Sequence, residues 1–224
     1  SKNNVIEVAK KLKIPVCEIK IQKDSPSGLF DLFDKSSEYS LPEENDEALV
    51  LHTSGTTSRP KIVPLTNKNI FSSAVNISKS LELSEIDHCL NIMPLFHIHG
   101  LIAILAASMK VGASVCASNG FNAIKFLELA KSEKITWCSG VPTMHQAILL
   151  RAEKNLELAK DLKLRFIRSS SASLSPAVFE KLNSVFKCPV IEAYGMTEAT
   201  HLMTSNPLPP KIQKPGFVGI PAGP

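Results

Sequence analysis

None of the five cysteines, Cys17, Cys89, Cys116, Cys138 and Cys188, stands in a C-x-x-C pair, and their number is odd. This spacing excludes the common zinc-finger and dithiol redox motifs. Thiols set among apolar residues suggest a reducing, intracellular compartment. No apolar run approaches the ~20 residues that cross a bilayer. The most continuous run, Leu101–Met109, falls far short. The N-terminus, Ser1-Lys2-Asn3-Asn4, lacks the character of a secretory signal. Membrane-spanning and secreted classes are set aside on these grounds. Charge of one sign is also scarce, since 25 basic and 21 acidic residues leave +4. The lysines are scattered apart from Lys10–Lys13, so no basic footprint for nucleic acid is expected. Repeats and low-complexity tracts are missing too.

What remains is the balance of a globular core. The chain is 44% hydrophobic and 21% charged over 224 residues, enough apolar surface to offset ordering entropy. Strand-like and helix-like segments alternate. Val5–Leu12 reads as a helix and Val16–Ile21 as a strand; Gln22–Asn45 is polar and reads as a linker. Ala48–His52 and Lys61–Leu65 are strand-like. Thr66 or Asn67 can cap a helix whose apolar face is Ile70, Ala74, Ile77 and Leu81. The rhythm continues through strand Cys89–Met93, buried helix Leu101–Met109, strand Ser114–Ala117, helix Phe121–Lys131 and strand Ile135–Cys138. Helix Pro142–Ala152, strand Leu164–Ile167, Ser-capped helix Ser175–Phe186 and strand Val190–Ala193 follow. Such alternation predicts an α/β domain with a largely parallel sheet flanked by helices. Residues 1–47 form an N-terminal helix, strand and linker, and residues 48–224 the main domain. The stretch Asn206–Pro224 holds six prolines and is not helical.

The segment Thr53-Ser54-Gly55-Thr56-Thr57-Ser58-Arg59-Pro60-Lys61 crowds hydroxyls and a glycine before a lysine. Hydroxyls and open backbone N–H groups can surround phosphate oxygens, and lysine adds a mobile positive charge. A polar hairpin turn is the plainer reading of the same residues. It is not a Walker loop, because Lys61 runs into the strand-like Ile62-Val63 rather than a helix.

Four motifs, in order, resemble those of the acyl-adenylate-forming enzymes. They are Leu51-His52-Thr53-Ser54-Gly55-Thr56-Thr57 through Lys61 with Leu65-Thr66-x-x-Asn69; Met93-Pro94-Leu95-Phe96-His97-x-His99-Gly100; Ala193-Tyr194-Gly195-Met196-Thr197-Glu198; and Gly216-x-Val218-Gly219-x-Pro221. The likeness covers about Ala48 to Pro224. Ser58 and Ile62 depart from it, since glycine is common at both places. The resemblance implies part of the large N-terminal domain of such an enzyme, with ATP, Mg²⁺ and coenzyme A as cofactor and co-substrates. A carboxylate would attack the α-phosphorus of ATP, pyrophosphate would leave, and the coenzyme A thiol would displace AMP. It further implies a phosphate loop from Thr53, Ser54, Gly55, Thr56, Thr57 and Lys61. Ala193, Tyr194 and Gly195 would hold the nucleotide, with the Tyr194 ring on adenine. Thr197 would donate to the α-phosphate, Glu198 would hold Mg²⁺, and His97 would border the acid pocket near the reacting carboxylate.

Arg168-Ser169-Ser170-Ser171-Ala172-Ser173-Leu174 stands where many relatives carry a Gly-Ala-Pro-Leu-type turn, and Ala199-Thr200-His201-Leu202-Met203 follows Glu198, so both put polar groups beside the motifs. The run from Ala193 to Pro209 and the segment Thr53–Lys61 resemble the oxalyl-CoA synthetase branch, which implies that Ser171, His201 and His97 hold a short dicarboxylate, oxalate. Ser171 and His201 follow separate strands, so their loops are expected to converge. A medium-chain acid remains open, as does a non-catalytic binding module of the same fold. The resemblance implies that the small C-terminal domain of the same polypeptide lies outside these residues. It also implies a cytoplasmic setting, with the peroxisome open. His52, His88, His99 and His145 receive no role.

Overall fold

The computed structural model describes residues 2–16, 19–21, 30–32, 40–53 and 60–223. It divides into two compact units, 1–42 and 43–224. In the first, helix α1 (Lys2–Lys11) covers the segment expected to be helical. Strand β1 (Ile19–Ile21) pairs antiparallel with β2 (Phe30–Leu32), placing a strand where a linker is expected.

The second unit opens with an antiparallel pair, β3 (Glu47–Thr53) and β4 (Lys61–Thr66). Helix α2 (Asn67–Ser80) follows, started by a capping box. The Thr66 side chain accepts from the Asn69 N–H, and the Asn69 side chain accepts from the Thr66 N–H. The polar residues of the Leu65-Thr66-x-x-Asn69 motif thus satisfy orphan amides at a helix start. Strands β5 (His88–Asn91), β6 (Ser114–Ala117), β7 (Trp137–Gly140), β8 (Phe166–Ser169) and β9 (Val190–Met196) run parallel in the order β6-β5-β7-β8-β9. Strands β10 (His201–Ser205) and β11 (Ile220–Pro221) extend that edge antiparallel. The α/β, mostly parallel architecture predicted from the strand–helix rhythm is therefore present.

Alternation along the strands separates two apolar layers. Cys138, Ile167 and Val190 face α4 (Phe126–Ser132), α5 (Pro142–Ala152), α6 (Leu156–Asp161) and α7 (Pro176–Phe186). Trp137, Phe166 and Ile191 belong to the layer with α2 and the segment His99–Lys110. That segment begins as a π-helix, His99–Ala106, and closes as α3 (Ala107–Lys110). The reading of Leu101–Met109 as a buried helix holds, with the first part wound wider; the Ala107 N–H reaches back to the Ile102 carbonyl. The structure shortens the expected Phe121–Lys131 helix. The Asn122 side chain accepts from the Ile124 and Lys125 amides and holds a turn before α4 starts.

Candidate active site

Open α/β sheets bind ligands beyond the carboxyl ends of their strands. There a cleft of about 490 Å³ is lined by Thr53, Phe96, His97, Ser171, Gly195, Met196, Thr197, Glu198 and His201, among others. Seven of the expected site residues, from loops after β3, β5, β8 and β9, therefore meet around one space. The β9–β10 hairpin is tight because Met196 pairs with His201 and Gly195 lies directly against the His201 carbonyl. A side chain at 195 would collide with backbone. A 3₁₀ turn, Thr197–Ala199, carries Thr197 and Glu198 to the cleft. Backbone strain gathers on the same walls. Ser171, Thr200 and His201 have φ of 70°, 54° and 95°, a region costly for residues with a Cβ.

On the nucleotide side of the expectation, Thr53 and Lys61 are register partners at the open ends of β3 and β4. The Thr53 hydroxyl is buried with no partner among the described residues. Lys61 Nζ stands 3.8 Å from Glu198 Oε1. Ser54, Gly55, Thr56 and Thr57 lie outside the described residues. Tyr194 is half-exposed and, with Ala193, Gly195, Ser171, Gly216 and Val218, lines an adjoining pocket of about 270 Å³. Behind it the buried Glu192 accepts from the Gly216 N–H at 2.7 Å. Burial raises the pKa of Glu192, and its bonds to backbone amides work against that rise. Gly219, at φ 79°, packs on the Ser205 backbone, so the fourth motif closes this side of the sheet. No cluster of three His, Cys, Asp or Glu suited to a metal occurs among the described residues. A lone carboxylate beside a cleft still fits Mg²⁺, which commonly takes one or two protein carboxylates and completes its shell from phosphate and water.

Beneath the cleft lies a polar layer that the sequence reading leaves unassigned. His99 is fully buried. Its Nε2 is 2.7 Å from Ser139 Oγ and 3.3 Å from Arg168 Nη1, and its Nδ1 is 3.1 Å from Ser171 Oγ. Its ring lies 5.1 Å from that of His201. Burial first, and the Arg168 charge second, hold the pKa of both His99 and His201 well below the usual histidine value. Desolvation also lowers His97, whose Nδ1 accepts from the His99 backbone N–H at 3.1 Å. His145 bonds no cleft-lining group among the described residues. Its Nε2 bonds the Arg168 carbonyl at 3.1 Å, and burial lowers its pKa to about 4. His99 and Arg168 are the residues that sequence reasoning missed. The available signal is strand parity, since Arg168 shares a face with Phe166, a position otherwise apolar.

Comparisons with known proteins agree with this arrangement. An oxalate–CoA ligase of Arabidopsis thaliana is 52% identical over 182 residues, covering 80% of this chain and 35% of the relative. The oxalate–CoA ligase of Saccharomyces cerevisiae is 46% identical over 179 residues, covering 80% and 32%. The chain thus spans about a third of the length of these curated relatives. ATP-bound MatB from Rhodopseudomonas palustris superposes with a TM-score of 0.73 at 29% identity, over 80% of this chain and 35% of that one. The AMP-binding enzyme family model matches residues 2–223. With three of the four motifs around one cleft at the strand ends and the fourth lining the adjoining pocket, the chain belongs to the AMP-binding enzyme family.

Proposed function

We propose that the whole protein is an ATP-dependent acid:CoA ligase and that its acid is oxalate. The observation that carries the reading is the donor-rich cleft that brings His97, Ser171 and His201 to the same space as Thr197 and Glu198. A long apolar tail would leave these polar groups unpaired, at about 1–3 kcal/mol each. A second carboxylate would pair them. The oxalate–CoA ligases of A. thaliana and S. cerevisiae support the same choice.

In this reading one carboxylate oxygen of the acid attacks the α-phosphorus, the bond to the pyrophosphate oxygen breaks, and acyl-adenylate forms. The coenzyme A sulfur then attacks the acyl carbon and AMP leaves. Thr53, Lys61 and Thr197 orient the phosphates, and Lys61 balances their charge. Mg²⁺, held at Glu198, would neutralise charge on the phosphate oxygens. Positioning and charge stabilisation account for most of the catalysis asked of this surface. Tyr194 offers a ring face to adenine.

The test is CoA-dependent AMP formation by the full-length protein across a carboxylate panel. Oxalate should give the highest kcat/KM, with octanoate at least tenfold lower. Glu198→Gln keeps the volume and loses the charge, so turnover should fall sharply and recover in part at raised Mg²⁺. A preference for octanoate would reject oxalate as the substrate, and normal turnover of the Gln variant at low Mg²⁺ would reject the metal role.

A further inference from the structure

Arg168 is fully buried, and no carboxylate pairs with it among the described residues. Its Nε and Nη2 have no hydrogen-bond partner there. Burial lowers its pKa only to about 10, so the guanidinium is charged at neutral pH. A buried cation without a counter-ion is costly and is kept where it serves a purpose beyond packing. The groups around it are polar and neutral: Ser139 Oγ at 3.2 Å from Nη1, His99 Nε2 at 3.3 Å, and His201 beside His99.

A guanidinium can only donate. Where His99 Nε2 accepts from it, and from the Ser139 O–H at 2.7 Å, the neutral ring carries its proton on Nδ1. That N–H donates to Ser171 Oγ at 3.1 Å. The Ser171 oxygen is then occupied as an acceptor and its O–H is left for the cleft it lines. His97 is set in the same sense: its Nδ1 accepts a backbone N–H, so the proton sits on Nε2. Two donors thus serve the cleft, backed by a buried positive charge.

We propose that Arg168 is a positioning residue that sets substrate choice: it fixes the His99 tautomer so that Ser171 donates into the cleft, and its unanswered charge selects an acid with a second negative group beside the reacting carboxylate. This deepens the acid-activating reading and rests on it for the kinetic part alone.

Two variants of the full-length protein test it. Arg168→Met removes both charge and donor; Arg168→Lys keeps the charge and loses the planar fork. KM for oxalate should rise about 10- to 100-fold in Arg168→Met, the range of one charge-assisted hydrogen bond. KM for ATP and for acetate should change less than threefold. Arg168→Lys should recover most of the oxalate-to-acetate preference. Two further measurements do not require turnover. In ¹⁵N-histidine-labelled wild type, His99 should be protonated at Nδ1, and Arg168→Met should give mixed tautomers. Oxalate should raise the Tm of wild type and of Arg168→Lys, and not that of Arg168→Met. If the oxalate-to-acetate KM ratio stays within twofold in both variants, or His99 is protonated at Nε2 in wild type, the proposal fails. Should wild type ligate no oxalate while the tautomer and the Tm shift behave as stated, the functional reading fails and the Arg168 device stands as an anion-binding one.

Discussion

His201 shows how a residue's neighbours decide its chemistry. From the sequence it could meet a carboxylate either as a cation or as a neutral hydrogen-bonding group. Burial and the Arg168 charge hold its pKa well below the usual value, so it meets the cleft neutral. The cation of the pocket is Arg168, one layer deeper. His201 Nδ1 has no partner among the described residues, and in the proposed function a substrate oxygen would complete it. His201→Ala in the full-length protein should raise KM for oxalate by about tenfold, the worth of roughly 1–1.5 kcal/mol, with KM for ATP changed less than twofold. The same variant keeps the positive φ of 95°. His201→Gly should therefore unfold at higher denaturant than His201→Ala, by about 1 kcal/mol. Equal KM for oxalate in wild type and His201→Ala would remove His201 from the acid site.

At the scale of elements, one buried carboxylate ties together the ends of the sheet opposite the cleft. Asp87, almost fully buried just before β5, accepts from Arg165 Nε at 2.9 Å and Nη2 at 3.1 Å, from Thr136 Oγ1 at 3.0 Å and from the Ser84 N–H at 2.9 Å. Arg165 also donates to the Leu81 and Glu82 carbonyls at the end of α2. The start of β5, the approaches to β7 and β8, and the C-terminus of α2 are thereby held at one corner. Asp87→Asn should cost about 2–4 kcal/mol, less than a wholly buried pair because Arg165 is part exposed. A urea midpoint that does not move would show the brace to be ornamental, and KM for ATP and oxalate should stay as in wild type. Elements of this kind were legible where local pattern decides them: the Thr66-capped helix, Pro142–Ala152 and the Ser175-capped α7, whose Ser175 Oγ accepts from the Val178 N–H at 3.3 Å. The π-helical start at His99 was not, because a wholly apolar run has no period to betray its winding. Nor was β10, since Thr200 and His201 enter it through positive φ that no propensity suggests. Three of the four motifs located cleft walls, at the ends of β3, β5 and β9, while the Ser171 wall lies outside them and the fourth motif lines the adjoining pocket. The Arg168–His99 layer stayed hidden because its partners, Ser139 and Ser171, come from other strands and are polar residues too common to signal.

Across the whole molecule, the buried histidines make folding a function of pH. His99 and His201 sit on one side of the sheet and His145 on α5 packs from the other. Each has a folded pKa below the unfolded value near 6.5, and for His145 it is about 4. Between these values the unfolded chain binds protons that the folded one refuses. The stability these residues lend is thus fully present above about pH 6.5 and is lost as pH falls toward 4. His145 alone accounts for about 3 kcal/mol across that window. The groups facing it are the Arg168 carbonyl and Gly140; those facing His99 and His201 are Arg168, Ser139, Ser171 and His97. Glu192 works the other way, since its raised pKa lets the folded state take up a proton as pH falls through the carboxylate range. Because that uptake lies above the ordinary carboxylate value, it overlaps the histidine window and offsets part of the decline. Urea unfolding at fixed ionic strength should therefore give a flat stability above pH 7 and a decline below pH 6.5. Its slope should approach three protons, about 4 kcal/mol per pH unit, for His99, His145 and His201, with the lowered His97 adding to it and Glu192 subtracting. His145→Gln keeps a donor for the Arg168 carbonyl and has no proton to gain, so its slope should be lower by one proton. Stability that stays level from pH 7 to pH 5, or an unchanged slope in His145→Gln, would mean that these imidazoles take up their protons within the fold.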